Sequence, residues 1–186
     1  FEQGLCSPCE RPSMAEWLEA LAEIDEHLYC CDGCGGTTLL PAELDSLNEA
    51  SCFFCDEPAD SRLVLFEEFI TLPDEAEGSS EEPGNMIATG RKVWLQPGGD
   101  LELKRLMPTF SYDRWPADHL RIEYSDQGLV IYPLSQSKLH LQRGSVKKPL
   151  ERYQGLKESL RGQHEEPYRL HVGELAESHV IWQFRW

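Results

Sequence analysis

Hydrophobic and polar positions follow two different periods along this chain, and the change of period divides it. From Met14 onward, Met14, Trp17, Leu18, Leu21, Ile24 and Leu28 recur every three or four residues, the spacing that lines one face of an α-helix. Ser13 stands just before that stripe and Glu16 follows three residues later. Such a pair closes the first free amides of a helix by reciprocal hydrogen bonds. A helix over 13–29 is therefore expected, its stripe turned to a core. Further on, strand signals take over. Arg62–Phe66 leads to Phe69–Leu72, β-branched and aromatic enough to read as strand.

Beyond Met86 the pattern becomes a succession of short strands: Lys92–Gln96, Leu101–Leu106, Leu120–Tyr124, Leu129–Tyr132, Lys138–Gln142, Tyr168–Val172 and His179–Phe184. Pro97–Asp100 predicts a hairpin between the first two. Ser125–Gly128 predicts another, with Gly128 where positive φ is required. The stretch from Leu150 to Gly162 fits either a short helix or a long loop. About seven strands at this spacing predict a small antiparallel β-sandwich or barrel. The expected fold class is thus mainly β with an N-terminal helix.

Charge adds a division of its own. The net charge of −16 is concentrated in residues 1–86, which hold 21 acids against Arg11 and Arg62, a balance of −19; residues 87–186 balance to +3. Residues 73–86 gather acids, Ser, Gly and Pro without periodicity and read as a linker, because such a composition buries too little apolar surface to offset chain entropy. So negative a first half repels phosphate backbones and disfavours nucleic acid as a partner. Apolar runs of only a few residues predict no membrane span, and with no targeting pattern the expected location is cytoplasmic. The first residue is Phe1 rather than Met, which suggests a piece of a longer protein.

Cysteine spacing brings in the chemistry. Cys31 and Cys34 are separated by two residues, as are Cys52 and Cys55, with seventeen residues between the pairs. Two thiolates two residues apart can grip one ion from a single turn, and two such turns complete a closed tetrahedral set. The spacing predicts a four-cysteine ribbon holding a structural Zn2+. Gly33, Gly35 and Gly36 free the backbone there to aim amides at the sulfurs. Disulfides or buried thiols are the alternative, but seven cysteines leave one over and no secretory signal is seen. Cys30 could stand in for Cys31; the repeated two-residue spacing favours Cys31. Cys6 and Cys9 form half of a second set that would need Cys30 and one more ligand, with His27 nearest.

The N-terminal wording has a counterpart elsewhere. Phe1, Gly4, Leu5, Pro8, then Arg11-Pro12-Ser13-Met14, Glu16, Trp17, Leu18, Ala20 and Leu21 resemble the end of a eukaryotic-like protein kinase domain, where an Arg-Pro pair precedes the last helix of the large lobe. The resemblance covers about twenty residues. In that family the arginine matching Arg11 pairs with a buried glutamate, which this chain lacks. A kinase end followed by a ribbon and a β-rich region is similar to the C-terminal extension of certain bacterial serine/threonine kinases. That resemblance implies a zinc ribbon, a forkhead-associated-like β-sandwich, and partners such as the kinase lobe, a von Willebrand A-type protein or a phosphatase. The expected organisation is then a terminal helical segment over 1–29, a ribbon over 30–72, a linker over 73–86 and a β-sandwich over 87–186.

Nothing in the sequence predicts catalysis in this chain. It has no glycine-rich phosphate loop, no His-Arg-Asp or Asp-Phe-Gly, and no Gly-x-Ser-x-Gly. Of the residues by which a forkhead-associated module reads phosphothreonine, only Gly90-Arg91 has a match, so Arg91 is the one phosphopeptide-binding candidate. No Ser-x-x-His follows, and Asn48 and Asn85 lie before the β region. The six histidines show no ligand spacing, and Arg143, Lys147, Lys148 and Arg152 form a modest basic cluster. The expected function is a non-catalytic regulatory or protein-interaction region of a kinase. An accessory scaffold subunit of a larger assembly is the alternative, and a nucleic-acid-binding ribbon the less favoured third.

Overall fold

The computed structural model describes residues 12–41, 50–71, 86–104, 118–134 and 138–186. Cys6, Cys9, Arg11, Asn48, Asn85 and the acidic stretch 73–85 lie outside them. The described chain is mainly antiparallel β with one short helix. Helix α1 runs Met14–Asp25, and the strands are β1 Leu28–Cys30, β2 Thr37–Leu39, β3 Val64–Thr71, β4 Met86–Leu95, β5 Asp100–Lys104 and β6 Asp118–Ser125. They continue as β7 Gly128–Pro133, β8 Leu139–Arg143, β9 Val146–Pro149, β10 Gln154–Lys157, β11 Tyr168–Val172 and β12 Val180–Phe184.

Helix α1 begins as its sequence dictates. The Ser13 amide donates to the Glu16 carboxylate at 2.6 Å, and the Glu16 amide donates back to Ser13 Oγ at 3.2 Å. Its stripe, however, meets no core among the described residues. Met14, Trp17, Leu18, Leu21 and Ile24 are all exposed, so the helix period was legible but its expected burial is not found among the described residues.

Two sheets form the body: a four-stranded sheet ordered β10-β7-β6-β5 and a six-stranded sheet ordered β4-β3-β12-β11-β8-β9. Their inward residues share one core. Val64, Phe66, Val93, Leu170, Trp182 and Phe184 come from the larger sheet, and Leu103, Leu120, Ile122, Leu129 and Ile131 from the smaller. Burying that much aliphatic and aromatic surface drives the two sheets together.

Several local expectations change when pairing partners are known. The β6–β7 hairpin forms with Ser125 opposite Gly128, and Gly128 has φ +125°. Pro97–Asp100, by contrast, closes no hairpin. Strand β4 pairs with β3, β5 pairs with β6, and the intervening turn carries the chain from one sheet to the other. Strand β3 lies within 30–72, the stretch expected to be ribbon, yet it is bracketed by β4 and β12 inside the six-stranded sheet. Between Leu150 and Gly162 there is no α-helix: Gln154–Lys157 adds a strand to the free edge of β7, and a 3-10 turn follows over Glu158–Leu160.

The outer face of β3 and β4 carries the cysteine-bearing segment. Trp94 points away from the body core and is buried against Tyr29, Leu40, Ala50, Ala59 and Leu63, with Leu65 packed alongside. Hydrogen bonds tie the same junction: Trp94 N–H to the Glu26 carbonyl at 3.3 Å, Cys30 N–H to Gln96 Oε1 at 3.0 Å, and Arg161 Nη2 to the Leu63 carbonyl at 3.2 Å.

Candidate metal centre

Four of the seven cysteines converge. The Sγ atoms of Cys31, Cys34, Cys52 and Cys55 all lie within 4.8 Å of one another, with Cys31 to Cys55 at 3.7 Å and Cys34 to Cys52 at 3.6 Å. A disulfide would need sulfurs about 2.05 Å apart, so these are thiols. Sulfurs bound at about 2.3 Å to a tetrahedral ion sit about 3.8 Å from each other. The observed separations match that edge closely enough for the four to hold one metal ion.

Two turns of the same construction bring them together. In the first, the Cys31 amide donates to the Gly36 carbonyl at 2.9 Å and the Gly35 amide donates to the Cys31 carbonyl at 2.8 Å. In the second, the Cys52 amide donates to the Glu57 carbonyl at 2.8 Å and the Asp56 amide to the Cys52 carbonyl at 2.9 Å. Each turn closes with a residue in the left-handed region directly after its second cysteine, Gly35 at φ +69° and Asp56 at φ +56°. Glycine takes that conformation freely and aspartate is among the few other residues that tolerate it. Asp56 escaped the sequence reading. Laying Cys31-x-x-Cys34-Gly35 over Cys52-x-x-Cys55-Asp56 would have found it.

Donors surround the sulfurs. Gly36 N–H points at Cys34 Sγ and Phe54 N–H at Cys52 Sγ, both at 3.4 Å, and the buried Thr38 hydroxyl reaches Cys52 Sγ at 3.6 Å. Thr38 also accepts the Phe53 amide at 3.1 Å, stapling β2 to the second turn. Burial opposes ionisation of Cys52, but the Phe54 amide, the Thr38 hydroxyl, the Cys55 amide and the Cys34 thiol together outweigh it and draw the thiol down to about 6. Cys31 and Cys52 are buried, Cys34 and Cys55 exposed, so the cluster sits at the surface with one side sealed by the unit's own small core.

Cys30 is not part of the set. On β1 only Tyr29 turns inward, and the Cys30 thiol is exposed with the Gly35 carbonyl 3.9 Å away. His27 is buried at the end of α1, its amide on the Ile24 carbonyl.

Arg91 lies elsewhere, in a clasp. Its guanidinium pairs with Glu26 from the cysteine-bearing segment and, at 3.5 Å, with Glu68 from β3, and it stands over the Trp182 ring at 5.0 Å. A bulge between Glu67 and Phe69 aims Glu68 at it. Burial pushes the Glu68 carboxyl up, against the pull of Arg91. The three side chains are between 13% and 17% exposed, so a phosphate reaching this arginine would have to displace two carboxylates.

A second buried polar group is centred on His171 and His179, which neither ligand spacing nor motif marked. His171 Nδ1 and His179 Nε2 are 2.9 Å apart, His171 Nε2 faces Gln142 Oε1 at 2.6 Å, and the Thr71 hydroxyl meets His179 Nδ1 at 3.0 Å. Burial lowers both imidazoles, His171 to about 3.

No described helix is long and apolar enough to cross a membrane. Comparison with protein-family models, with curated proteins and with solved structures finds no match to this chain.

Proposed function

We propose that this chain is a non-catalytic regulatory and protein-interaction region built on a structural zinc ribbon, of the kind that follows the catalytic lobe in certain bacterial serine/threonine kinases. On this proposal Cys31, Cys34, Cys52 and Cys55 hold one Zn2+. Four thiolates leave no open coordination position, so the ion supplies folding energy in place of the core that so short a segment cannot build. The two-sheet body is then a forkhead-associated-like sandwich that has given up phosphopeptide reading. The employment of Arg91 between Glu26 and Glu68 supports that loss.

The observation that carries the proposal is the exposed apolar face of α1. Met14, Trp17, Leu18, Leu21 and Ile24 line one side of a capped helix and meet no core among the described residues. An apolar stripe of that size marks a protein contact, and the resemblance of residues 1–21 to a kinase end names the lobe as its partner. A von Willebrand A-type protein or a phosphatase would be the further partners.

Two measurements test it. Elemental analysis should return one zinc per chain, with four thiols protected until a chelator is added. The reading frame upstream should encode His-Arg-Asp and Asp-Phe-Gly. Zinc without those motifs would turn the reading to an accessory scaffold subunit, and a chain that binds no zinc would end it.

A further inference from the structure

The two metal turns differ in what they show to solvent. Between Cys31 and Cys34 stand Asp32 and Gly33; between Cys52 and Cys55 stand Phe53 and Phe54. Side chains at such positions point outward because both flanking sulfurs point in, and polar ones serve, as Asp32 demonstrates. Folding of the turn therefore does not require two phenylalanines. Yet Phe53 is 82% exposed and Phe54 65%, their rings edge to face with centroids 5.6 Å apart.

The backbone that carries the rings is also held in place. The Phe53 amide is spent on Thr38 and the Phe54 amide on Cys52 Sγ. The Phe54 ring rests over Gly36, where a Cβ would come within 2.6 Å of it. The turn thus presents an apolar platform on a fixed backbone, whose preorganisation lowers the entropy lost on binding.

Its surroundings select the sign of the partner. Asp32, Asp56 and Glu57 are exposed around the two turns, and the described ion pairs engage none of them. Arg62 is committed to Asp60. Four thiolates about a divalent ion add a formal negative charge to the same face. Aromatic ring faces attract cations as well, through their quadrupole. Carboxylates and rings thus favour the same guest.

We infer that the Phe53–Phe54 turn is a docking site for a basic segment of a partner protein, one in which arginines flank an apolar side chain. Arginine guanidinium would stack on the rings and pair with Asp56 and Glu57, while the apolar side chain covers the aromatic edges. This deepens the proposal of a protein-interaction region by naming the chemistry of the partner, and it rests on that proposal for the metal that shapes the turn.

The test uses the whole zinc-loaded chain and fluorescein-labelled peptides of alternating arginine and leucine, with arginine–serine and glutamate–leucine peptides of the same length. Fluorescence anisotropy should show the arginine–leucine peptide binding best, more weakly as salt rises. Phe53→Ala should weaken it about tenfold or more, the loss expected of one anchoring aromatic. Asp56→Asn with Glu57→Gln should weaken it and flatten the salt dependence. Zinc content and the amide spectrum, measured on each variant, separate lost docking from lost folding. Equal binding of the arginine–serine peptide, or no effect of Phe53→Ala in a chain that keeps its zinc, overturns the inference and leaves the zinc scaffold standing. So does a mass that rises with concentration in sedimentation and reverts to monomer in Phe53→Ala. That result would make a second copy the occupant, through the exposed Val146, Lys147 and Lys148 of β9.

Discussion

The cysteine-bearing unit and the two-sheet body reach a folded state by different means. In the body, side chains from both sheets close over one another, with Phe66, Leu103, Leu120, Ile122 and Trp182 fully buried. In the cysteine unit the buried set is Tyr29, Cys31, Leu40, Ala50, Cys52, Ala59, Leu63 and Trp94. Two of these are thiols of the converging cysteine set and the last belongs to the sheet beneath. A segment with three tyrosine- or leucine-sized anchors, Tyr29, Leu40 and Leu63, and two alanines cannot offset its chain entropy by burial. The difference teaches that the unit leans on a tryptophan lent by β4 and, on the zinc proposal, on an ion among its sulfurs.

Removing the ion should break the comparison most visibly. On the zinc proposal, chelation is expected to remove binding on the order of 10 kcal/mol, and with it the fold of the described residues 26–41 and 50–60, while the body stays folded. Amide hydrogen exchange before and after a strong chelator measures this directly. Protection should vanish in β1, β2 and the second turn and persist in β6, β7, β11 and β12. Loss of protection in both regions at one chelator concentration would mean that the body, too, is held by the metal.

The clasp at Arg91 comes next. Arg91→Ala leaves the mostly buried carboxylates of Glu26 and Glu68 near each other without their cation, at an expected cost of about 2 to 3 kcal/mol in urea unfolding. Because Glu26 belongs to the cysteine unit and Glu68 to the body, the variant should also lower the cooperativity between their transitions. A single, steep, unshifted transition would show that Trp94 and the junction hydrogen bonds couple the two regions without the clasp.

How much of this could be read beforehand follows the same line between local and distant causes. The four thiols were legible because ligand spacing is fixed within a few residues, and the Ser125–Gly128 hairpin because its turn chemistry is local. Pro97–Asp100 carries equally good turn residues but joins two sheets. What decides between those outcomes is the claim of β3 on β4, made by residues some thirty positions upstream. Strand β10 had no strand composition to read, Gln154-Gly155-Leu156-Lys157 being recruited by the open edge of β7. The α1 stripe specified a helix, but the core expected to cover it is not found among the described residues, because what covers a helix face is decided by distant partners.

Acid should act on the two regions for separate reasons. In the body, burial depresses His171 and His179 below the value near 6.5 that they recover on unfolding. The unfolded chain then binds more protons than the folded one below about pH 6.5, so stability is full above that pH and falls as pH drops towards the folded values. The expected slope is up to about 1.4 kcal/mol per pH unit for each imidazole. Lys147, Arg169 and His140 face the pair and disfavour its charging further. In the cysteine unit, on the zinc proposal, acid competes with the ion for thiolates. Urea unfolding followed by exchange in β11 and β12 isolates the first effect, and His171→Gln should flatten its slope. An unchanged slope in that variant would place the proton uptake elsewhere.

The smallest effect tests the likeness of the two metal turns. Gly35 and Asp56 occupy equivalent left-handed positions, and around Gly35 nothing lies within 4 Å of where a Cβ would be. Gly35→Ala therefore adds backbone strain and no clash, about 1 kcal/mol for a residue with a Cβ in that region. Asp56→Ala starts from a residue that already bears part of that strain, so it should cost less, about 0.5 kcal/mol. Competition for zinc against a chromophoric chelator reads both as weaker metal binding, roughly fivefold for Gly35→Ala and twofold for Asp56→Ala by the same energies. Equal or reversed costs would mean that the Asp56 carboxylate itself supports its turn, and the equivalence of the two turns would then hold for the backbone alone.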